Sequence, residues 1–371
     1  MNLSYWEQKS WFSKVDFCIV GSGIVGLSCA LQLKKKHPNS KILVLEKGIL
    51  PQGASTKNAG FACFGSVSEL LSDLKHHTED EVISLVQQRV AGLALLKSTL
   101  GEKQIDFQQY GGYEVFLKKS KSTYDKCVEH IPFLNELLQP IFNENVFQLK
   151  PNSFGFKNVL QKQIFNPFEG QINTGEMMLA LLKKVQSLGV LVLNATEIKS
   201  FTSEADAVDI QLNDFSFKAK HLFVATNAFA KQLLDVEVTP ARNQVLITQP
   251  IENLDIKGTF HLDEGYYYFR NIDNRILLGG GRNLDQKGET TSEMGTTQTI
   301  QFALEDLLSK VILPNQKIEI DQRWSGILGV GKQKKPIVKQ VFNRVYCGVR
   351  LGGMGVAIGS SIGKDLADLV E

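Results

Sequence analysis
The stretch from Asp16 to Glu46 constrains the fold more than any other, because it reads as a strand, a glycine turn, a helix and a second strand ending in an acid. Phe17, Cys18, Ile19 and Val20 form the short apolar run that a strand buried on both faces requires. Gly21 permits a tight turn, Gly23 lets the backbone approach a phosphate, and Gly26 lets the next helix lie close on the sheet. That helix is expected at about 24–36: Leu27, Ala30, Leu31 and Leu33 share a face, and Lys34, Lys35 and Lys36 suit the negative end of its dipole. Its first turn, with Ser22, Ile24 and Val25 around the glycines, offers free N–H groups to a pyrophosphate. Glu46 lies 20 positions after Gly26, where a carboxylate accepts hydrogen bonds from ribose hydroxyls. Together these parts make a dinucleotide-binding βαβ unit and leave the cofactor open.

A second glycine signature narrows the choice. Residues 348–359 hold five glycines between a strand and a helix expected from about Ile358. A nicotinamide dehydrogenase has no need of such a turn at this end. A flavin does, because its reduced form carries negative charge that the N–H groups of Gly353, Met354, Gly355 and Val356 can stabilise.

The 371 residues carry a net charge of +2, which gives no electrostatic case for nucleic acid. Lys332, Gln333, Lys334 and Lys335 read as a solvated loop. Five cysteines without CxxC spacing read as buried free thiols of a reducing compartment, and the dispersed histidines show no metal-ligand spacing. Neither a signal peptide nor an apolar run long enough to span a membrane is visible, so a cytoplasmic location is expected.

Further along, helices are expected within 66–100, at 121–138 and at 174–188, and strands at 112–117, 190–193, 196–201 and 221–226. Two runs, 266–270 and 276–281, flank Asp273 and Asn274 as a hairpin. Alternation puts Tyr266, Tyr268 and Arg270 on one face and Tyr267 and Phe269 on the other. The expected fold is mixed α/β: a Rossmann-like FAD-binding domain, discontinuous in sequence (12–85, 148–228 and 321–371), with an inserted antiparallel-sheet substrate domain (86–147 and 229–320).

Over nearly its whole length the chain resembles the D-amino acid oxidase-like flavoproteins, which include sarcosine oxidase and glycine oxidase. The segments that carry the resemblance are 17–27 with Glu46, 53–60, 170–173, 223–226, 266–270 with 277–282, 324–326 and 348–359. It implies FAD, with Gly21, Ser22, Gly23 and Gly26 at the pyrophosphate and Glu46 and Lys47 at the ribose and adenine side. Ala54, Ser55, Lys57, Asn58, Ala59 and Gly60 would run under the pyrophosphate and along the isoalloxazine. Ile198 matches an adenine contact, Ala225 and Thr226 end a strand beside the cofactor, and Gly353, Met354, Gly355 and Val356 face the pyrimidine edge. Tyr268 lines up with a substrate tyrosine, and Arg270 or Arg282 can pair with a substrate carboxylate.

Four departures from the family pattern stand out. Asn227 occupies a position that is usually glycine. No arginine follows Gly326, where amino-acid oxidases carry a carboxylate clamp. No cysteine lies between Cys127 and Cys347, so FAD is expected to be non-covalent. Leu277 stands where sarcosine oxidase has a lysine that promotes reaction with oxygen, so a dehydrogenase acceptor is favoured over oxygen. The resemblance implies oxidation of the C–N bond of a small amine or amino acid by hydride transfer to flavin N5, with substrate and acceptor unspecified. A flavin dehydrogenase of 2-hydroxy acids is disfavoured because no histidine lies in these segments. A non-catalytic flavin protein is the remaining alternative.

Overall fold
The computed structural model describes residues 3–314 and 316–371. Two eight-stranded sheets organise it. In the first, Val345–Val349, Ser216–Val224, Val15–Val20, Ile42–Leu45 and Leu191–Leu193 lie side by side and parallel. Ile337–Phe342 closes one edge antiparallel, and Val208–Gln211 and Ser200–Ser203 extend the other half of Ser216–Val224 as a small meander. Alternation divides the first strand between two cores. Phe17 and Ile19 join the helix-covered face with Phe223 and Leu27, whereas Cys18 and Val20 join the face covered by the meander with Val208 and Phe217.

The helix after the first strand is Ile24–Lys36, as the sequence predicts. The closing helix, Gly355–Asp368, lies directly against it. Small residues make that approach possible: a Cβ on Gly359 would sit 2.6 Å from Ile24 Cγ2, and one on Gly363 would sit 2.6 Å from the Val25 carbonyl oxygen. Helix Glu79–Leu100 packs on the other side of the closing helix. Gly92 is pressed against the Ala357 carbonyl there.

The second sheet runs in the order Ile320–Val330, Thr239–Thr248, Arg275–Gly280, Tyr267–Ile272, Thr259–Leu262, Gly112–Glu114, Lys162–Asn166 and Gln148–Pro151. It is antiparallel except where Thr259–Leu262 meets Gly112–Glu114. Its outer face packs on helix Gln298–Leu307 through Leu246, Phe260, Phe269 and Leu278. The hairpin turn is built by Asp273 and Asn274, both with positive φ (48° and 55°), as a tight two-residue loop requires.

Several expected boundaries move. The strand predicted at 196–201 is Ser200–Ser203, which leaves Thr196 and Ile198 in a loop. The helix predicted at 121–138 runs on to Phe142 and stops at Asn143 in the left-handed region. Within 66–100 there are two helices, Val67–Asp73 and Glu79–Leu100, each opened by a capping box. Sheet membership also departs from the expected domain limits. Gln148–Pro151, Lys162–Asn166 and Ile320–Val330 lie in the antiparallel sheet rather than the parallel one: the first two pair with each other, and Lys162–Asn166 and Ile320–Val330 join the sheet through the distant strands Gly112–Glu114 and Thr239–Thr248.

Candidate active site
A cavity of about 700 Å³ lies between the C-terminal ends of the parallel strands and the inner face of the second sheet. That is the crevice where open α/β sheets bind ligands. The glycine turn forms one end of it. Gly21 has φ +99° and donates its N–H to the Leu45 carbonyl at 2.8 Å, which folds the turn over the neighbouring strand. The helix it opens has Gly23 as N-cap, no side-chain cap and no acidic residue in its first turn. Its positive end is therefore left facing the cavity, where Gly21, Gly23, Ile24 and Val25 form the wall. Ser55 Oγ accepts from the Ile24 N–H at 3.0 Å and ties the 53–60 loop to this end.

Glu46 is buried at the end of its strand. One carboxylate oxygen accepts from the Ser22 N–H at 3.1 Å and the Ser22 hydroxyl at 2.9 Å, and the other accepts from the Gly48 N–H at 3.0 Å. Glu46 lines the cavity, as do Lys47, Ala54, Ser55, Lys57, Asn58, Ala59 and Ile198. Ser22 does not: it is fully buried and spends both donors on Glu46. Gly26 is likewise internal, because a Cβ there would sit 1.9 Å from the Gly21 oxygen. Gly60, with φ +74°, faces Ile172 and Arg270 rather than the cavity.

The C-terminal turn brings Gly353, Met354, Gly355 and Val356 to the same wall, beside Ala225 and Thr226. The closing helix also starts without a side-chain cap. A Cβ on Gly353 would meet nothing within 4 Å, so its backbone stands open. Thr226 Oγ1 is enclosed in the wall with no hydrogen-bond partner. Asn227 explains itself here. Its φ of +46° lies in the left-handed region, which asparagine tolerates better than most residues, and its Oδ1 accepts the N–H groups of Arg350 (3.0 Å) and Leu351 (3.2 Å).

The far end of the cavity is a row across the second sheet. Strand register aligns Glu114, His261, Tyr268, Gly279, Val245 and Trp324 on successive strands. Burial pushes the Tyr268 hydroxyl up to about 12, so it stays protonated through the neutral range. Phe61 stands edge-on to both Tyr268 and His261. Burial also pushes Glu114 up to about 7, against the N–H and hydroxyl of Ser68, both of which donate to it. Leu277 packs with Ala59, Val245 and Trp324 into an apolar patch, and the Trp324 indole donates to the Lys57 carbonyl at 3.0 Å.

The two expected substrate arginines separate. Arg282 lines the cavity, its guanidinium 5.3 Å from the Tyr266 ring centroid, with no carboxylate partner among the described residues. Arg270 does not reach the cavity. It is buried, its Nε donates to the Ala59 carbonyl and its Nη2 to the Ile172 carbonyl at 2.9 Å, so it staples the loop instead of facing substrate. Alternation had put it on the right face, but backbone carbonyls already satisfy its charge.

Sequence reading assigned no role to Cys63, Arg89, Glu169 and His261. All four are buried, and Cys63, Arg89 and His261 line the cavity. The absence of histidine from the motif segments therefore does not carry over to the folded chain. Nor does the expected absence of a metal-ligand cluster, since Cys63, Glu169 and His261 converge. No local signal could show this, because the three lie on separate segments.

The sequence matches the family profile described as "DAO: FAD dependent oxidoreductase" over residues 16–369. The chain is 20% identical over 375 residues to the probable oxidoreductase OrdL of Haemophilus influenzae, covering 96% of this chain and 82% of that protein. It is 22% identical over 370 residues to the gamma-glutamylputrescine oxidoreductase of Escherichia coli, covering 96% of this chain and 83% of that one. The fold is similar to that of glycine oxidase from Geobacillus kaustophilus, with a TM-score of 0.78, 19% identity, and 96% and 95% of the two chains covered.

Proposed function
The chain belongs to the DAO family of FAD-dependent oxidoreductases, and from that premise we propose that it oxidises the C–N bond of a small amino acid or amine. The observation that carries the reading is one cavity joining two helix N-termini, neither capped by its own N-cap side chain, to the row that holds Tyr268, with Arg282 beside it. The cofactor end fits FAD: open glycine backbone at Gly353, a buried carboxylate at Glu46 and an unpartnered hydroxyl at Thr226. FAD, when bound, would supply the oxidising power as the acceptor of a hydride.

The chain's own groups bind, orient and exclude water. The N-terminus of Ile24–Lys36 would hold the pyrophosphate, and Glu46 would accept from ribose hydroxyls. The N-terminus of Gly355–Asp368 offers positive potential to developing negative charge. Arg282 pairs with a substrate carboxylate in the role that no arginine after Gly326 can fill. Tyr268 donates its hydroxyl proton in a hydrogen bond, and the patch of Ala59, Val245, Leu277 and Trp324 keeps the reacting face dry.

FAD is held without a covalent bond: of the cysteines only Cys63 lines the cavity, and burial keeps its thiol protonated. Leu277 brings no charge to the apolar patch, which supports an acceptor other than oxygen. No described helix is long and apolar enough to cross a membrane. A 2-hydroxy-acid substrate would need a neutral imidazole as base, and His261, buried against Glu169, is pushed towards its protonated form instead.

Anaerobic mixing of the FAD-loaded protein with amines, amino acids and 2-hydroxy acids tests the reading. Bleaching of the flavin band by an amine or amino acid is expected. Bleaching by hydroxy acids alone, or by nothing in the panel, would overturn it.

A further inference from the structure
Beyond Tyr268 the cavity wall carries Cys63 and His261, and Glu169 lies buried behind them; the proposed oxidation uses none of the three. Cys63, Glu169 and His261 are all buried, and one ligand atom from each lies within 4.8 Å of the other two. Cys63 follows the short strand Phe61–Ala62, Glu169 precedes its partner strand Gly170–Gln171, and His261 sits on Thr259–Leu262. His261 Nε2 is 3.7 Å from a Glu169 oxygen and has no hydrogen-bond partner, although it is fully enclosed. Buried polar atoms are ordinarily paired, so such a nitrogen calls for an explanation. The other Glu169 oxygen accepts from the Phe64 N–H at 2.8 Å and the Gly65 N–H at 3.3 Å. The Cys63 thiol donates to Thr259 Oγ1 at 3.5 Å.

We propose that Cys63, Glu169 and His261 form a zinc-type divalent metal site that opens on the cavity. Ligand atoms bonded to tetrahedral zinc at about 2.0–2.3 Å stand about 3.4–3.6 Å apart. The His261–Glu169 spacing of 3.7 Å is already close to that, and the sulfur, within 4.8 Å of both, needs to approach by at most about 1.2–1.4 Å. One sulfur, one nitrogen and one oxygen donor select zinc or cobalt over magnesium or calcium. Cys63 and His261 both line the cavity, so a fourth coordination position faces it, the pattern of three protein ligands and one open site. Two N–H groups fix Glu169, and the Thr259 hydroxyl, which donates to the Gly111 carbonyl at 3.3 Å, can turn from it to donate to a thiolate. Binding breaks the Cys63 S–H bond and frees the His261 nitrogen of any proton, and both protons go to solvent; no electrons move. The site does not depend on which substrate is oxidised.

The test loads the FAD-bound protein with Zn²⁺, removes free metal by gel filtration, and measures metal content and zinc X-ray absorption. One zinc per chain is expected, with a single Zn–S bond at about 2.3 Å. Cys63→Ser and His261→Asn should each weaken zinc binding at least ~tenfold while flavin content stays unchanged, and Cys127→Ser should leave zinc binding as it was. Failure to retain zinc, a shell without sulfur, or unchanged affinity in both site variants would overturn the proposal. If a variant loses flavin, the absorption spectrum of the unsubstituted protein decides alone.

Discussion
Arg282 and Asn227 show how much a single residue's surroundings decide. Arg282, just past the second strand of the hairpin, has a free guanidinium on the cavity wall, whereas Arg270, on the first strand, is spent on carbonyls. Arg282→Leu should raise KM for an amino-acid substrate by roughly 10–100-fold and change kcat less, read by steady-state kinetics. Asn227 combines a left-handed backbone with two accepted N–H bonds. Asn227→Ala should cost about 2–4 kcal/mol, seen as a lower urea midpoint. Asn227→Gly should recover part of that loss by relieving the backbone while leaving both N–H groups unmatched. Alongside Glu114, whose raised value works in the opposite sense, His221 contributes to the pH dependence of stability. It is half-buried between the Phe17 and Tyr346 rings, and burial with neighbouring positive groups pushes it down to about 4. The folded state holds this imidazole neutral, so its share of stability is intact above the ordinary value of 6.5 and is lost as pH falls towards 4. With solvent screening that loss is on the order of 1 kcal/mol, and His221→Phe should flatten it in unfolding curves measured between those pH values.

Among the elements, the pairing of helix Ile24–Lys36 with helix Gly355–Asp368 matters most, because it aims two N-termini at one cavity. Gly363→Ala would drive a Cβ against the Val25 carbonyl. It should cost about 1–3 kcal/mol and lower the flavin-to-protein absorbance ratio of the purified protein, since both helix ends would shift. The first of these helices was legible in the sequence because everything that specifies it is local: a strand run, three glycines and a terminal lysine cluster. The second sheet was legible only as a hairpin and the strand at 112–117. Strands such as Lys162–Asn166 and Ile320–Val330 find their partners far along the chain, and no local pattern states which sheet they join. The same limit hid His261, Cys63 and Glu169, each unremarkable in its own segment. Arg270 misled for a related reason: its face was readable, but the carbonyls that engage it come from elsewhere in the chain.

In the molecule as a whole, the cavity is the seam between two sheets, so its contents bear on the stability of both. Saturating FAD should raise stability by about 2.7 kcal/mol at one hundred times its Kd, and calorimetry of the protein with and without FAD should show the midpoint falling when FAD is removed. The order of strands has a consequence for how such a chain is made. Val345–Val349 supplies one neighbour of Ser216–Val224, and the helix after it lies on the first helix of the chain. A ribosome that has delivered the opening glycine turn has therefore delivered only half of a cofactor cradle. The emerging polypeptide has to keep an unfinished parallel sheet in solution until Val345–Val349 and Gly355–Asp368 arrive, so newly made protein should be most exposed to aggregation and proteolysis just before that segment emerges.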